Sequence, residues 1–335
     1  MSLRTPALWL LGVLLLAAAP GLAATTLKIA TIAPDGTRWM QEMRDGAATV
    51  AERTAGRVKF KFYPGGVMGN DATVLRKIRA GQLHGGAFTG GSLEAVYPDI
   101  TVYSLPFLFR DYTEIDTVRE RLDPVLARGL ETNGMAALGI SEGGFAYLLS
   151  DSSVPSVAEL HNKKVWIPEG DKVGKAALRA ANATPVPLPI ADVYTGLQTG
   201  LVDTVASTPS AAIAFQWHTR MRYATDLPLT YLIGVLAIDQ GAFAALSAAD
   251  QAVLREVMGA VFRRLGQANR EDNAAARAAL EERGLVFVPP TPEQRQRWQT
   301  VGEQSRQDLE AQNAFTPELV RQIDTLLATH RKTGR

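Results

Sequence analysis

The sequence predicts an α/β protein of two doubly wound lobes, with a cleft between them and one long helix crossing both. Three observations predict it. Strand-like and helix-like segments alternate from Thr26 onward. That alternation restarts once, near Lys163. The stretch Ser247–Arg283 has no Pro and, as a helix, is roughly 54 Å long at 1.5 Å per residue. A compact lobe of this chain is about 30–40 Å across, so such a helix runs along two lobes or bends, with Gly259 and Gly266 as bend points.

Each element has a local reason. Thr26–Ile32 (TLKIATI) is a short apolar run suited to a buried strand. Asp35 and Thr37 offer N-cap oxygens for a helix over Arg38–Ala55, and Gly56 ends it. Arg57–Tyr63 alternates apolar and basic residues, a strand period. Strand, helix, strand implies a parallel pair with a right-handed crossover. Asp71 is expected to cap a helix to Ala80 with Gly81 after it, and His84–Phe88 and Met135–Ser141 to be strands. The second set reads Lys163–Ile167 strand, Lys172–Ala181 helix, Thr184–Pro187 extended, Ala191–Thr199 helix before Gly200, and Asp203–Ser207 strand. Ser247 with Asp250 resembles a capping box for the long helix, and Gly284 closes it. The lobes are bounded as 25–143 with 232–271, and 144–231 with 272–335.

The first 24 residues read as an address. Arg4 precedes an apolar run from Ala7 to Ala19, Pro20 and Gly21 break it, and Ala23 and Ala24 suit signal peptidase. The run is short of the roughly 20 residues that span a bilayer. The mature protein is therefore expected to be soluble, not membrane-spanning, and outside the cytoplasm.

Composition removes several functions. With 35 Lys plus Arg against 34 Asp plus Glu, the chain lacks the basic excess of a general nucleic-acid binder. It has no Cys, which excludes a thiol nucleophile and cysteine metal sites. His84, His161, His218 and His330 form no HExxH, and neither GxSxG nor GxGxxG occurs. Gly170–Lys175 (GDKVGK) is one residue short of a phosphate loop, and Ala176 replaces its hydroxyl. No cofactor, metal or catalytic residue is expected.

Five stretches carry a resemblance: Thr54–Val58 (TAGRV), Tyr63–Gly69 (YPGGVMG), Leu105–Arg110 (LPFLFR), Pro185–Pro189 (PVPLP) and Val193–Asp203 (VYTGLQTGLVD). In this order and spacing, over about Thr26 to Gln322, the chain resembles the DctP-type periplasmic solute-binding subunit of tripartite ATP-independent periplasmic (TRAP) transporters. The resemblance implies a periplasmic receptor, not an enzyme, whose partners are a small solute and the TRAP membrane subunits. Two other readings stay open: a secreted α/β enzyme, or a receptor for a sensor protein, on the same scaffold.

In the family the solute is usually an organic acid held by an Arg in a KIRxP motif, a bidentate geometry. Here Lys164–Pro168 reads KVWIP, which puts Trp166 at that position. A second family Arg corresponds to Ala146, and a family Asn to Ser207. The resemblance therefore implies an organic acid, or an aromatic or weakly charged solute stacked on Trp166. Arg38, Lys172, Lys175 and Arg220 are candidate substitute cations. The expected solute-contacting set is Trp166, Trp39, Glu142, Thr89, Gly90, Ser207, Thr208, Glu169, Asp171, Ala146, Ile190, Trp217 and Tyr231. Of these, Glu142, Glu169 and Asp171 are expected at the cleft rim, where they suit a solute with donors, an amine or a bridging metal ion.

Overall fold

Strand β1 (Thr25–Thr31), helix α1 (Arg38–Arg53), strand β2 (Val58–Tyr63), helix α2 (Asp71–Arg79) and strand β3 (Gly85–Thr89) open the fold in the expected order. The structure is a computed structural model and describes residues 24–334. The expected signal segment, but for its last residue, lies outside the described residues. Strand β1 pairs in parallel with both β2 and β3, as a βαβ crossover requires. Thr37 caps α1 by accepting from the Met40 N–H, and Gly56 takes φ 77° just beyond its end, where an L side chain is disfavoured. The cap of α2 is Asn70, one residue earlier than expected. Asp71 turns inward instead, and its carboxylate accepts from the Thr89 N–H and hydroxyl, each at 3.3 Å.

Helix α3 (Tyr112–Thr132), capped by Asp111, leads into β4 (Met135–Ser150), which runs well past the expected Ser141. Helix α4 (Val157–Leu160), β5 (Lys164–Ile167), α5 (Lys172–Ala180), β6 (Thr184–Pro187), α6 (Val193–Thr199), β7 (Thr204–Ser207) and α7 (Pro209–Ala214) form the second set. A 17-residue strand, β8 (Tyr223–Asp239), then returns through the molecule. Helices α8 (Gln240–Ala244) and α9 (Ala248–Glu282), strand β9 (Val286–Val288), and helices α10 (Pro292–Ala311) and α11 (Pro317–Thr333) complete the described chain.

The strands form one sheet in the order β2-β1-β3-β8-β4-β7-β5-β6, with β9 also on β8. Antiparallel β4 and β8 hold it together. Their register shifts at Ala137/Gly139, Glu142/Gly144 and Ala146/Leu148. One end of β8 pairs with β3, the other with β9. The last residues of β4 pair with β7. The two lobes thus share two long strands, and the middle of those strands joins them. Because β3 is antiparallel to β8 and β7 is antiparallel to β4, the C-terminal ends of β1–β3 point toward those of β5–β7.

Helix α9 is continuous through Gly259 and Gly266 and about 52 Å long. It packs on α1 and β4 in the first lobe and on α7 in the second. Helix α9 passes close to Glu142 at Gly266, where even a Cβ would make only an ordinary contact, 3.4 Å from Glu142 Cγ. Helix α11 packs on α3, and Leu319, Val320, Ile323 and Leu327 share a core with Leu122, Leu126 and Leu130. The Arg331–Glu114 ion pair at 2.7 Å fixes this contact.

Candidate functional site between the lobes

The strand ends deliver six loops to one interlobe surface. Residues 32–37, 64–70 and 89–94 come from the first lobe; residues 168–171, 188–192 and 207–210 come from the second. Such facing strand ends are where ligands bind in α/β folds. Two contacts bridge them. Asn70 Nδ2 donates to Glu169 Oε2 at 3.0 Å, and Lys172 Nζ lies 2.6 Å from Glu94 Oε1. Both link the start of a helix in one lobe to a loop in the other, so the lobes are in contact at the mouth. A shallow surface cavity of about 300 Å³ is lined by Val157, Ala158, His161, Arg297 and Thr300, none of them on these loops.

Several expected residues lie on this surface. Thr89 ends β3, and its hydroxyl pairs with Ser92 Oγ at 2.6 Å. Gly90 is packed so tightly that a Cβ would meet Ile233 Cγ1 at 2.5 Å. Glu169 takes part in the bridge to Asn70. Asp171 caps α5, accepting from the Gly174 N–H at 2.9 Å. Burial pushes the Asp171 carboxyl up, and the nearby Glu94 adds to the shift. At the end of β7, Ser207 donates to the Thr208 carbonyl, and Thr208 caps α7. Trp39 is half-buried near the start of α1, edge-on to Phe262 at 5.7 Å.

Others have their side chains committed to packing. Trp166 is 5% exposed, stands edge-on to Trp217 at 5.1 Å, and donates its indole N–H to the Leu188 carbonyl at 3.0 Å. A flexible side chain at 166 could reach along the strand toward the mouth. The rigid indole packs beneath it, with its one donor satisfied. Trp217 is covered by Phe215 and Trp166, and Ile190 packs on the same cluster. Ala146 is fully buried opposite Thr230. Tyr231 is enclosed by Tyr103, Phe109 and Phe145, and burial pushes its phenol far up.

Glu142 is the largest departure. It sits where β4 passes between α3 and α9, not at the rim. Arg270 holds both its oxygens (2.8 and 2.6 Å), Arg119 approaches to 3.6 Å, and Asn269 donates to its carbonyl. Arg119 also donates to Asp123 and to the Ile140 carbonyl, and Arg270 to Asp116. Asn273 donates to the Gly143 carbonyl at 3.0 Å and accepts from Ser210 in the second lobe. Arg119, Arg270 and Asn273 went unmarked in the sequence. No spacing announces partners that are 23 residues apart, as for Arg119 and Glu142, or 128, as for Arg270 and Glu142.

Two α/β lobes joined by paired strands and a traversing helix, with their strand-end loops in contact, define a two-lobed binding-protein architecture. The chain belongs to the family described as bacterial extracellular solute-binding protein, family 7 (DctP), which matches residues 29–313. It is 25% identical over 254 residues to the C4-dicarboxylate-binding periplasmic protein DctP of Rhodobacter capsulatus, covering 74% of this chain and 75% of that one. It is 29% identical over 154 residues to the 2,3-diketo-L-gulonate-binding periplasmic protein of Escherichia coli, which is 45% of this chain and about half (47%) of that relative's length. Among solved structures, a TRAP periplasmic solute-binding protein from Roseobacter denitrificans with bound β-D-glucuronate has a TM-score of 0.83 at 22% identity, covering 89% of this chain and 99% of that one. One from Haemophilus influenzae with bound L-gulonate has the same TM-score at 16% identity, covering 90% and 99%. At these identities the structural likeness carries the fold. No helix among the described residues is long and apolar enough to cross a membrane.

Proposed function

We propose that this protein is a periplasmic receptor that captures a small organic solute between its lobes and delivers it to TRAP-type membrane subunits. It does no chemistry on the solute. The supporting observation is the pair of bridges across the facing strand ends, Asn70 to Glu169 and Lys172 to Glu94, in a chain of this family. Closure adds contacts that the open form lacks, so a solute filling the gap shifts the population toward the closed state.

The test is a thermal-shift screen of the chain from Thr25 onward, followed by recovery of the solute. A bound solute at 100 times its dissociation constant adds about 2.7 kcal/mol of stability. The expected result is a shift of several degrees and release of the compound chemically unchanged. Conversion of the stabilising compound to a product would overturn the receptor reading in favour of an enzyme.

A further inference from the structure

The six strand-end loops and the two long strands that join the lobes carry neither Lys nor Arg. The loops do carry Asp35, Glu94, Glu169, Asp171 and Asp192. All but one of the cations that flank this surface already have partners. Arg38 is paired with Asp272 at 3.3 Å, Lys172 with Glu94 at 2.6 Å, Arg119 with Asp123 at 2.7 Å, and Arg277 with Asp226 at 2.7 Å. Arg270 is held between Asp116 and Glu142. The Arg220 guanidinium helps hold the Tyr194 phenol below its ordinary value. The exposed Lys175, on α5 behind the mouth, has no ion pair among the described residues.

A carboxylate drawn between closing lobes loses its water and needs a cation in exchange. This surface supplies the five carboxylates instead, beside the hydroxyls of Thr89, Ser92, Thr208 and Ser210, which accept as well as donate. A second observation points the same way. The Glu94 side chain is nine-tenths buried, and its Oε1 is shut off from solvent with no hydrogen bond in its own lobe. What reaches that oxygen is an ammonium from the opposite lobe, on a lysine side chain that is 62% exposed. The mouth of the site therefore already receives one protonated amine.

Building on the receptor reading above, we infer that the cleft selects a solute through its hydrogen-bond donors, hydroxyl or protonated amine, and not through a carboxylate. This separates the chain from the relatives whose names or bound ligands are acids.

The test uses matched sets that differ at one group: glucuronate, glucose and glucosamine; succinate, 1,4-butanediol and 1,4-diaminobutane; benzoate, benzyl alcohol and benzylamine. Each is titrated calorimetrically into chain purified from the periplasm of an expressing host. The expected result is binding of the alcohol or amine in the responding set, with its carboxylate at least about tenfold weaker. If the amine leads, Glu94→Gln and Glu169→Gln weaken it while the far-ultraviolet spectrum and melting temperature hold. If the alcohol leads, those variants weaken both members equally. A carboxylate that binds as well as or better than its partners overturns the inference and leaves the receptor reading intact, and loss of that binding in Lys175→Ala would identify the missing cation. A chain that binds no member contradicts the receptor reading, and the inference falls with it.

Discussion

Replacing Trp166 by alanine separates a ligand surface from a core. The indole is buried against Trp217, with its N–H on the Leu188 carbonyl. Truncating a buried Trp costs about 3–5 kcal/mol. The lost edge-on pair adds about 0.5–1.5 kcal/mol beyond buried area, and the abandoned Leu188 carbonyl about 1 kcal/mol. Allowing for partial collapse of the gap, a net loss of about 4 kcal/mol is expected, a large share of the 5–15 kcal/mol typical of native proteins. The melting temperature should fall by roughly 6 °C. Trp166→Phe keeps a ring in place and should cost less than half as much. The assay is urea unfolding followed by far-ultraviolet circular dichroism, because the mutation changes the fluorescence itself. A double-mutant cycle with Trp217→Ala should give a coupling of about 0.5–1.5 kcal/mol. An alanine variant within about 1 kcal/mol of the parent that has lost solute binding would refute this reasoning, since a wall of the site has that signature and a core residue does not.

Three further predictions follow from the same geometry. Glu142→Ala leaves Arg119 with Asp123 and Arg270 with Asp116 but removes a buried, charge-assisted pair of hydrogen bonds, so it should destabilise the fold by about 1.5–3 kcal/mol in urea unfolding, with per-molecule solute affinity changed far less. Asn70→Ala and Lys172→Ala remove the two interlobe bridges, and with them the α2 cap and the partner of the buried Glu94 Oε1; each should cost about 1–2 kcal/mol of stability and speed solute release severalfold in stopped-flow measurements. The Arg57 guanidinium beside Asp250 holds that carboxyl below its ordinary value of 3.8. Its stabilising contribution is thus present above about pH 4 and fades as pH falls through the lowered value. Asp250→Asn should flatten the acid limb of a melting-temperature profile, and an unchanged limb would contradict the pairing.

Local signals read true where the local chemistry decides the structure. Ser247 before the long helix, Gly284 after it, Gly56 after α1 and Gly200 after α6 all mark ends that the backbone respects. The strands of the two βα sets lie within a residue or so of expectation. Strand β8 and the second half of β4 were not legible, because their pairing joins segments some ninety residues apart and their apolar runs lack alternation. Pro124 hides the continuity of α3. The site divides along the same line. Thr89, Glu169, Asp171 and Thr208 follow from strand ends and caps, which local sequence announces. Trp166 was assigned by its place in a motif. A rigid ring at that place packs down among Trp217 and Leu188, where a long guanidinium could extend outward. Glu142 looked free because its partners, Arg119 and Arg270, come from two distant helices.

Capture by closure is the central claim, and one distance tests it. The chain has no native cysteine, so Ala80→Cys at the far end of α2 and Arg179→Cys at the far end of α5 give two exposed labelling sites in opposite lobes. Single-molecule energy transfer between them should show two populations without solute, collapsing to the shorter distance at saturation with whichever compound stabilises the protein. A stabilising compound that leaves the distance distribution unchanged would contradict capture between the lobes.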